Sequence, residues 1–237
     1  MLIGRDFDKI EFSFLGLDLL EPNAFIGDTI ILITAIIIAL KIKKFNHQNA
    51  FFKNWILFFW FFGTGMFLGG IGHLMFNYLG FNGKYLPWLM GIVSIYFVEK
   101  AMISLLKDKQ QPIFQKIILL KMILFLVLEI LVFILLDMTK DHSIGLRIPA
   151  INSTLAFVFT LGFLGYKFSK KIDYNFIYFF YSVLLMLPSG IFIAFKINLH
   201  PWFDKNDFGH LILVLSLLFF YKPIKSYHSK IVINKGV

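Results

Sequence analysis

The chain has 237 residues, of which 58% are hydrophobic and 31 are phenylalanine. Soluble domains are only about 45–50% apolar, and here the excess is gathered into long blocks, as in membrane proteins. The net charge of +9 does not indicate a nucleic-acid partner, because the basic residues lie mainly between the apolar blocks. The sequence has no cysteine, which excludes disulfides, a thiolate nucleophile and a cysteine-based metal site.

The first segment, residues 1–24, carries acidic residues early and lacks the basic start and apolar core of a signal peptide. We predict that it is an external amphipathic lead-in to a single membrane domain, residues 1–237. Seven apolar blocks follow, and crossing a bilayer core takes about 20 apolar residues per helix. In chain order they are Phe25–Leu40, Trp55–Leu79, Leu86–Leu106, Ile117–Leu136, Ile148–Phe168, Phe176–Phe195 and Phe208–Tyr221. The sequence therefore predicts an all-α fold, a bundle of seven transmembrane helices.

Basic residues are divided unequally between the two ends of this predicted bundle. Of the 23 Lys and Arg residues, 16 fall toward one end and seven toward the other, and these seven are Arg5, Lys9, Lys84, Lys140, Arg147, Lys196 and Lys205. Cytoplasmic loops are the more basic ones in membrane proteins. We therefore predict an external N-terminus, a basic cytoplasmic tail at residues 223–237 and a multi-pass protein of the bacterial cytoplasmic membrane. Its expected partners are membrane lipids.

The second block carries a stripe of small and polar residues. Gly65, Gly69, His73 and Asn77 are four residues apart, so one helix face holds all of them. Glycines at this spacing let another backbone approach closely. Because a histidine that faces lipid is costly, we expect His73 to face the bundle interior near its outer end.

The seventh block opens with the polar run DKNDFGH. Asn206 and Asp207 precede His210 by four and three residues, so a helix places all three on one face. Asp207 would also lie in the first turn, where unpaired N–H groups stabilise a carboxylate. Asp204 is expected to be a solvated loop acid, and His200 is either loop surface or a further ligand.

Other polar residues are predicted at the same outer end. Glu21 and Asp28 lie at the head of the first block, and Asp137 and His142 follow the fourth. Histidines and carboxylates on facing helices suit Zn²⁺ or another divalent ion. The alternative is a hydrogen-bonded polar cap that fixes helix packing. The candidate metal ligands are His73, His210 and His200, the candidate catalytic bases are Asp207 and Asp28, and the further polar residues are Glu21, Asn77, Asn206 and Glu129.

Glu129 lies inside the fourth block, about two turns from its outer end at 1.5 Å per residue. A carboxyl group there is costly when charged and tends to stay protonated. It is either a proton carrier or a neutral acid that is hydrogen-bonded to another helix.

Seven helices, an external N-terminus, His73 near the end of helix two and His210 at the start of helix seven resemble the alkaline ceramidase and adiponectin/progestin receptor superfamily. Members of that superfamily are membrane hydrolases or receptors with an intramembrane zinc. Their pattern is Ser-xxx-His in helix two, an Asp near helix three and His-xxx-His in helix seven.

The match to this pattern is partial. Gly69 stands where the serine would be, Asn206 stands where the first histidine of helix seven would be, and the start of helix three reads Asn82-Gly83-Lys84. The resemblance implies a zinc site at His73 and His210, in which Asp207, Asp28 or His200 would substitute for the missing histidine.

Three functions are compatible with these features. The first is a metal-dependent hydrolase of a lipid amide or ester, in which His73, His210 and a carboxylate hold an ion that activates water. The second is a non-catalytic membrane sensor or lipid-binding module that uses the same pocket. The third is a transporter or proton relay through Glu129, for which Pro188 supplies the one break expected within a helix.

The charge distribution predicts that the chain after Lys222 lies in the cytoplasm. A reporter fused to the C-terminus, fluorescent only in the cytoplasm, should therefore be fluorescent, and one active only outside should be inactive. The opposite pair of results would contradict the external placement of the N-terminus and of the predicted polar end.

Overall fold

A computed structural model describes residues 1–45, 48–139 and 143–234. Within these residues, seven helical segments are long and apolar enough to cross a membrane. They are Pro22–Lys43, Ala50–Leu74, Asn82–Ile103, Gln111–Leu135, Ile144–Lys171, Tyr174–Ala194 and Lys205–Ile233. The prediction of a mainly helical chain with seven helices of membrane length is confirmed.

The elements are numbered in chain order. A hairpin of β1 (Glu11–Phe14) and β2 (Leu17–Leu20) precedes α1 (Pro22–Lys43), α2 (Ala50–Leu74) and the short α3 (Phe76–Leu79). Two long helices follow, α4 (Asn82–Ile103) and α5 (Gln111–Leu135). The next long helix consists of α6 (Ile144–Ala156), a π-helical stretch (Phe157–Leu164) and α7 (Gly165–Lys171). A 3₁₀ turn (Tyr174–Phe176), α8 (Ile177–Ala194) and α9 (Lys205–Asn234) complete the described chain.

The hairpin lies at one end of the bundle, here called the hairpin end, and the residues before it reach the α8–α9 connection. Leu2 and Asn198 exchange backbone hydrogen bonds of 2.7 and 2.8 Å. The Asn198 side chain donates to the carbonyl oxygen of Arg5 (2.9 Å), and Lys205 donates to Asp6. The N-terminal segment is therefore held against the α8–α9 connection and the start of α9.

The half of the bundle away from the hairpin is an apolar core rich in aromatic rings. Trp55 has no exposed surface and stacks on Phe179 of α8, with ring centroids 5.2 Å apart. Phe58, Phe59 and Phe220 are buried around it. Since lipid tails are as apolar as these rings, dense packing rather than escape from water holds helices together here.

Glycines of α2 bring its backbone close to α1 and α4. A methyl group added at Gly70 would lie 2.9 Å from Cβ of Asp28 on α1. One added at Gly72 would overlap the carbonyl oxygen of Gly83, at the start of α4. The predicted face with Gly65 and Gly69 approaches α4, since methyl groups added there would lie 3.2 Å from Cβ of Met90 and 3.7 Å from Cβ of Pro87. Gly70 and Gly72, off that face, make the tighter approaches to α1 and α4.

All of the predicted helix boundaries differ from the structure by one or more residues, and two of the differences change the predicted site or tail. Helix α2 ends at Leu74, because Met75 leaves the helical conformation with ψ near 21°. Asn77 therefore lies in α3, off the His73 face, and its Nδ2 donates to the carbonyl oxygen of Asp18 (3.1 Å).

At the other boundary, α9 continues to Asn234, through the first twelve residues of the predicted tail. Aromatic contacts explain the extension, since Tyr227 packs 5.2 Å from Phe51 and His228 stacks 4.0 Å from Phe45. Hydropathy alone does not reveal such contacts. The prediction for His142 falls outside the described residues.

Gly72→Ala is expected to destabilise the fold by about 1–3 kcal/mol, the usual cost of overpacking, although alanine favours a helix by up to about 1 kcal/mol over glycine. The added methyl group would overlap the carbonyl oxygen of Gly83, which belongs to the backbone and cannot rotate away. Thermal unfolding of the purified protein in detergent measures the loss. Gly91→Ala is the matched control, since its methyl group meets nothing within 4 Å. Equal stability of the two variants would contradict the close approach.

Candidate functional site

Five ionisable side chains gather at the hairpin end, where α1, α2, α4 and α9 pack together. They are Glu21, Asp28, His73, Lys84 and His210, and they are called the polar cluster below. Glu21, Asp28 and Lys84 are buried, and the two histidines are partly buried. Ionisable groups among membrane helices are costly and usually functional, so this cluster is the candidate site.

Glu21 joins the N-terminal segment to α2. Its Oε2 accepts a hydrogen bond from Lys9 Nζ (2.7 Å) and lies 2.8 Å from His73 Nδ1. The residue directly precedes α1 with a positive φ of 49°, which turns the chain from the hairpin into the helix. Burial raises the pKa of Glu21, but the hydrogen bond and charge of His73, together with Lys9, outweigh it and lower this pKa from 4.5 to about 2. Glu21 is therefore an anion that ties three segments together.

Asp28 and His210 form a second pair, between α1 and α9. His210 Nε2 lies 3.4 Å from Asp28 Oδ1, with side-chain exposures of 14% and 3%. The two atoms are close but not aligned as a hydrogen bond, so Asp28 Oδ1 lacks a hydrogen-bond partner among the described residues. His210 Nδ1 also lacks one and faces Gly27, where an added methyl group would overlap the ring. The pair has one free acceptor and one free ring nitrogen.

Lys84 places a positive charge inside the cluster. Its Nζ donates to the carbonyl oxygen of Gly69 (3.3 Å), and its stem passes the space left by Gly72. It interacts electrostatically with Glu21 and Asp28. Burial and the helix dipole oppose a cation in the first turn of a helix, and these two carboxylates favour the charged form of Lys84. In the sequence Lys84 precedes the predicted third block and counts as one of the seven external charges, so the sequence gives no sign of its burial.

Two aspartates cap the first turn of α9, because the side chain of each accepts a hydrogen bond from the backbone N–H of the other. Asp204 Oδ1 accepts from the backbone N–H groups of Asn206 (2.6 Å) and Asp207 (3.1 Å), and Asp207 Oδ2 accepts from that of Asp204 (2.9 Å). This reciprocal pattern is a capping box. The expectation that Asp204 is a solvated loop acid is wrong, because α9 begins at Lys205 and makes Asp204 its N-cap. Asp207 Oδ2 also accepts from Asn23 Nδ2 of α1 (2.7 Å), a contact that the sequence analysis missed.

The remaining predicted residues lie apart from the cluster. His200 is exposed in the α8–α9 connection, where its Nδ1 accepts from the backbone N–H of Trp202 (3.1 Å). The Asn206 side chain lies beside Asp204. Glu129 is buried on α5, whose main neighbours are α4 and α6.

The donors of the cluster do not fit the zinc site that the resemblance implies. His73 and His210 contact different carboxylates, Glu21 and Asp28, which are seven residues apart on the chain, or about 10 Å along a helix axis. Lys84 already interacts electrostatically with both carboxylates that would attract an ion. Among the described residues, no three His, Asp or Glu side chains are arranged to hold a metal. The steps considered below therefore use only protein groups.

The cluster has the groups needed for proton transfer and for binding a polar molecule. An imidazole beside a carboxylate can accept a proton and hold it as an ion pair. A buried ammonium group can stabilise a negative oxygen. Buried polar atoms without partners are rare in folded proteins and indicate a place for water or a ligand.

The fold and the cluster together define a seven-helix protein of the membrane type with a buried ionisable site at one end of the bundle. The chain belongs to a family of unknown function (DUF6962), whose model matches residues 24–228. The matched part includes Asp28, His73, Lys84 and His210, whereas Glu21 and the hairpin precede it. No curated protein matches the chain, and no solved structure does.

Glu21 predicts an acid-dependent stability. Because the pKa of Glu21 is lowered in the folded chain, its ionised carboxylate stabilises the fold, fully so above about pH 4.5. This contribution is lost as the pH falls from 4.5 to 2. The difference is equivalent to about 3 kcal/mol as an order of magnitude. Glu21→Gln should therefore be less stable than the natural chain at pH 7, and thermal unfolding should show this gap closing as the pH approaches 2.

The matched control is Glu11→Gln, which changes an exposed glutamate of the hairpin. A gap between Glu21→Gln and the natural chain that stays constant from pH 7 to pH 3 would show that the charge of Glu21 does not stabilise the fold.

Proposed function

We propose that this chain is a multi-pass membrane protein, with an external N-terminus and a cytoplasmic C-terminus, that binds the polar headgroup of a lipid at the polar cluster. The observation that carries the proposal is a set of buried polar atoms without hydrogen-bond partners among the described residues. They are Asp28 Oδ1, His210 Nδ1 and Asn23 Oδ1. All three belong to the contact between α1 and α9.

The missing partners give the chemistry of the ligand. Asp28 Oδ1 and Asn23 Oδ1 are acceptors, because the Asn23 amide already donates to Asp207. An unpaired buried polar group costs about 1–3 kcal/mol. A ligand that binds here therefore has to supply N–H or O–H donors, as an ammonium or hydroxyl group does.

The position of the contact favours a ligand from the lipid phase. Ile26 and Leu211 directly neighbour Gly27 and His210 in sequence, and they are 55% and 47% exposed. These apolar side chains border the helix faces that would meet lipid. A headgroup thus reaches the α1–α9 contact from the membrane side, while the N-terminal segment covers the hairpin end.

Two lipids that differ in hydrogen-bond donors test the proposal. Phosphatidylethanolamine has an ammonium group with N–H donors, and phosphatidylcholine has the same net charge but no such donor. Ethanolamine lipid added to choline-lipid nanodiscs should raise the unfolding temperature, since a ligand at a hundredfold excess over its Kd adds about 2.7 kcal/mol. Asp28→Asn should remove the effect, because it replaces the buried carboxylate by an amide.

Asp8→Asn, which alters an exposed aspartate of the N-terminal segment, is the control and should respond like the natural chain. The binding proposal fails if both lipids stabilise equally, or if Asp28→Asn still distinguishes them.

A second candidate is hydrolysis of a lipid amide or ester without a metal, and the orientation of His210 favours it. Nε2 faces Asp28 while Nδ1 has no partner among the described residues. Nδ1 would take a proton from water as the water oxygen adds to the carbonyl carbon, and Asp28 would stabilise the resulting imidazolium. Lys84 would stabilise the negative carbonyl oxygen, and the leaving amine or alcohol would take the proton from His210.

Mass spectrometry of lipids incubated with the protein separates the two candidates. A hydrolase releases free acyl chains, and His210→Gln stops the release. A binding module returns the lipids intact in both cases.

A further inference from the structure

A second polar site lies on α5, away from the polar cluster. Glu129 has no exposed surface, and neither of its carboxyl oxygens has a hydrogen-bond partner among the described residues. It shares the inward stripe of α5 with Ile118 and Phe125, while most of the helix faces outward. Glu129 therefore faces the neighbouring helices α4 and α6 and not lipid.

Asn152 of α6 is the second unpartnered group of this region. It is 1% exposed, and both its Nδ2 and its Oδ1 lack partners among the described residues. It lies on the buried stripe of α6 with Gly145, Pro149 and Ala156. A carboxyl and a carboxamide group, each buried and unpaired, thus occur on the two helices that flank the same side of α4.

The register between α4 and α5 fixes the level of Glu129. Lys121 of α5 donates to Glu99 of α4 (2.6 Å), and further along, the Phe133 ring stacks 4.2 Å from that of Tyr85. Between the two contacts α5 advances twelve residues and antiparallel α4 fourteen, so Glu129 lies level with about Met90 of α4, next to Gly91.

The level of Asn152 follows from α6 in the same way. The Trp88 ring of α4 packs against Gly145 of α6, and these two helices run in the same direction. Seven residues further along each helix, Asn152 lies level with Ile95. This is about five residues, or about 7.5 Å along the helix axis, from the level of Glu129, an offset that the two side chains with a water molecule between them can span.

Open space adjoins this region at Gly91. A methyl group added there would meet nothing within 4 Å, and Gly91 is partly exposed. Yet it lies on the inward face of α4, because Lys84 and Val98, seven residues to either side, are buried. The gap beside Gly91 therefore lies on the same face of α4 as Lys84 of the polar cluster, two turns away.

We propose that Glu129 is a proton-binding site within the membrane, with Asn152 as its hydrogen-bond partner through water, and that water reaches it by the gap beside Gly91. Charged groups on the surrounding helices are distant or paired. Glu99 and Lys121 bind each other two turns away, Lys84 lies two turns away toward the hairpin, and Arg147 is exposed at the hairpin end of α6. This site is independent of the proposed lipid binding.

A hydrophobic carbodiimide, dicyclohexylcarbodiimide, tests the protonation of Glu129 in the full-length protein. The carboxyl O–H adds across a C=N bond to form an O-acylisourea, which rearranges to a stable N-acylurea without a further reactant. Glu99, a buried carboxylate with a lysine partner, is the internal control.

Mass spectrometry should find the label on Glu129 and not on Glu99, and the label should decrease as the pH rises. Lys121→Met removes the partner of Glu99 and should make Glu99 reactive as well. A Glu129 that stays unlabelled at low pH, or is labelled equally at every pH, overturns the proposal.

Infrared spectroscopy tests the water route, because a protonated Glu129 has a carbonyl band. The band that disappears in Glu129→Gln is assigned to Glu129. In heavy water this band shifts as the proton exchanges for deuterium. Gly91→Leu fills the gap and should slow the shift several-fold, and Asn152→Leu should move the band. Gly190→Leu, at an exposed glycine with equally open space, should change neither. An unchanged exchange rate in Gly91→Leu overturns the route, and an unchanged band in Asn152→Leu overturns the role of Asn152.

Discussion

Charge burial among apolar helices is the constraint on which the hairpin end of this protein depends. A charged group there is tolerated only when an opposite charge or a hydrogen-bond donor lies within reach. The glycines of α2 make such contacts possible, because their missing side chains leave room for Asp28 on one side and for the stem of Lys84 on the other. The electrostatics of the cluster thus depend on backbone packing.

The same constraint explains why the N-terminal segment is ordered against the bundle. Glu21 needs Lys9 as well as His73, and Asp6 is paired with Lys205 at the start of α9. Each ion pair connects the segment before α1 to a different part of the hairpin end. Events in the cluster and the position of this segment are therefore coupled through Glu21, without any need for a long-range path.

Much of the fold could be predicted from the sequence, because hydropathy over long blocks reports directly on membrane helices. The inward position of His73 followed from the cost of exposing an imidazole to lipid, and that of His210 from its spacing from Asn206 and Asp207. Their separate carboxylate partners could not be predicted, since spacing within a helix does not give the rotation of one helix against another. Lys84 was missed for a related reason: its charge suits a loop, and only the position of α2 shows that it is buried.

Local details were less predictable still. Whether Asp204 or Asp207 caps α9 depends on where that helix begins, and a shift of one residue changes the role of both. The extension of α9 depends on ring contacts with α2 and Phe45, which no hydropathy pattern contains.

Three buried acids near α4 differ in how far other side chains pair with them. This difference helps to distinguish a structural role from a functional one. Glu99 has Lys121 at 2.6 Å, and the pair fixes the register of α4 against α5. Asp28, near His210, and Glu99 each keep one oxygen without a hydrogen-bond partner among the described residues, whereas Glu129 has no partner there for either oxygen. Since an unpaired buried group is costly, a sequence that retains Glu129 wholly unpaired is not simply minimising energy. The two incomplete sites also lie along one face of α4, where Lys84 and Gly91 are two turns apart, so a single helix borders both regions where water or a ligand has a place.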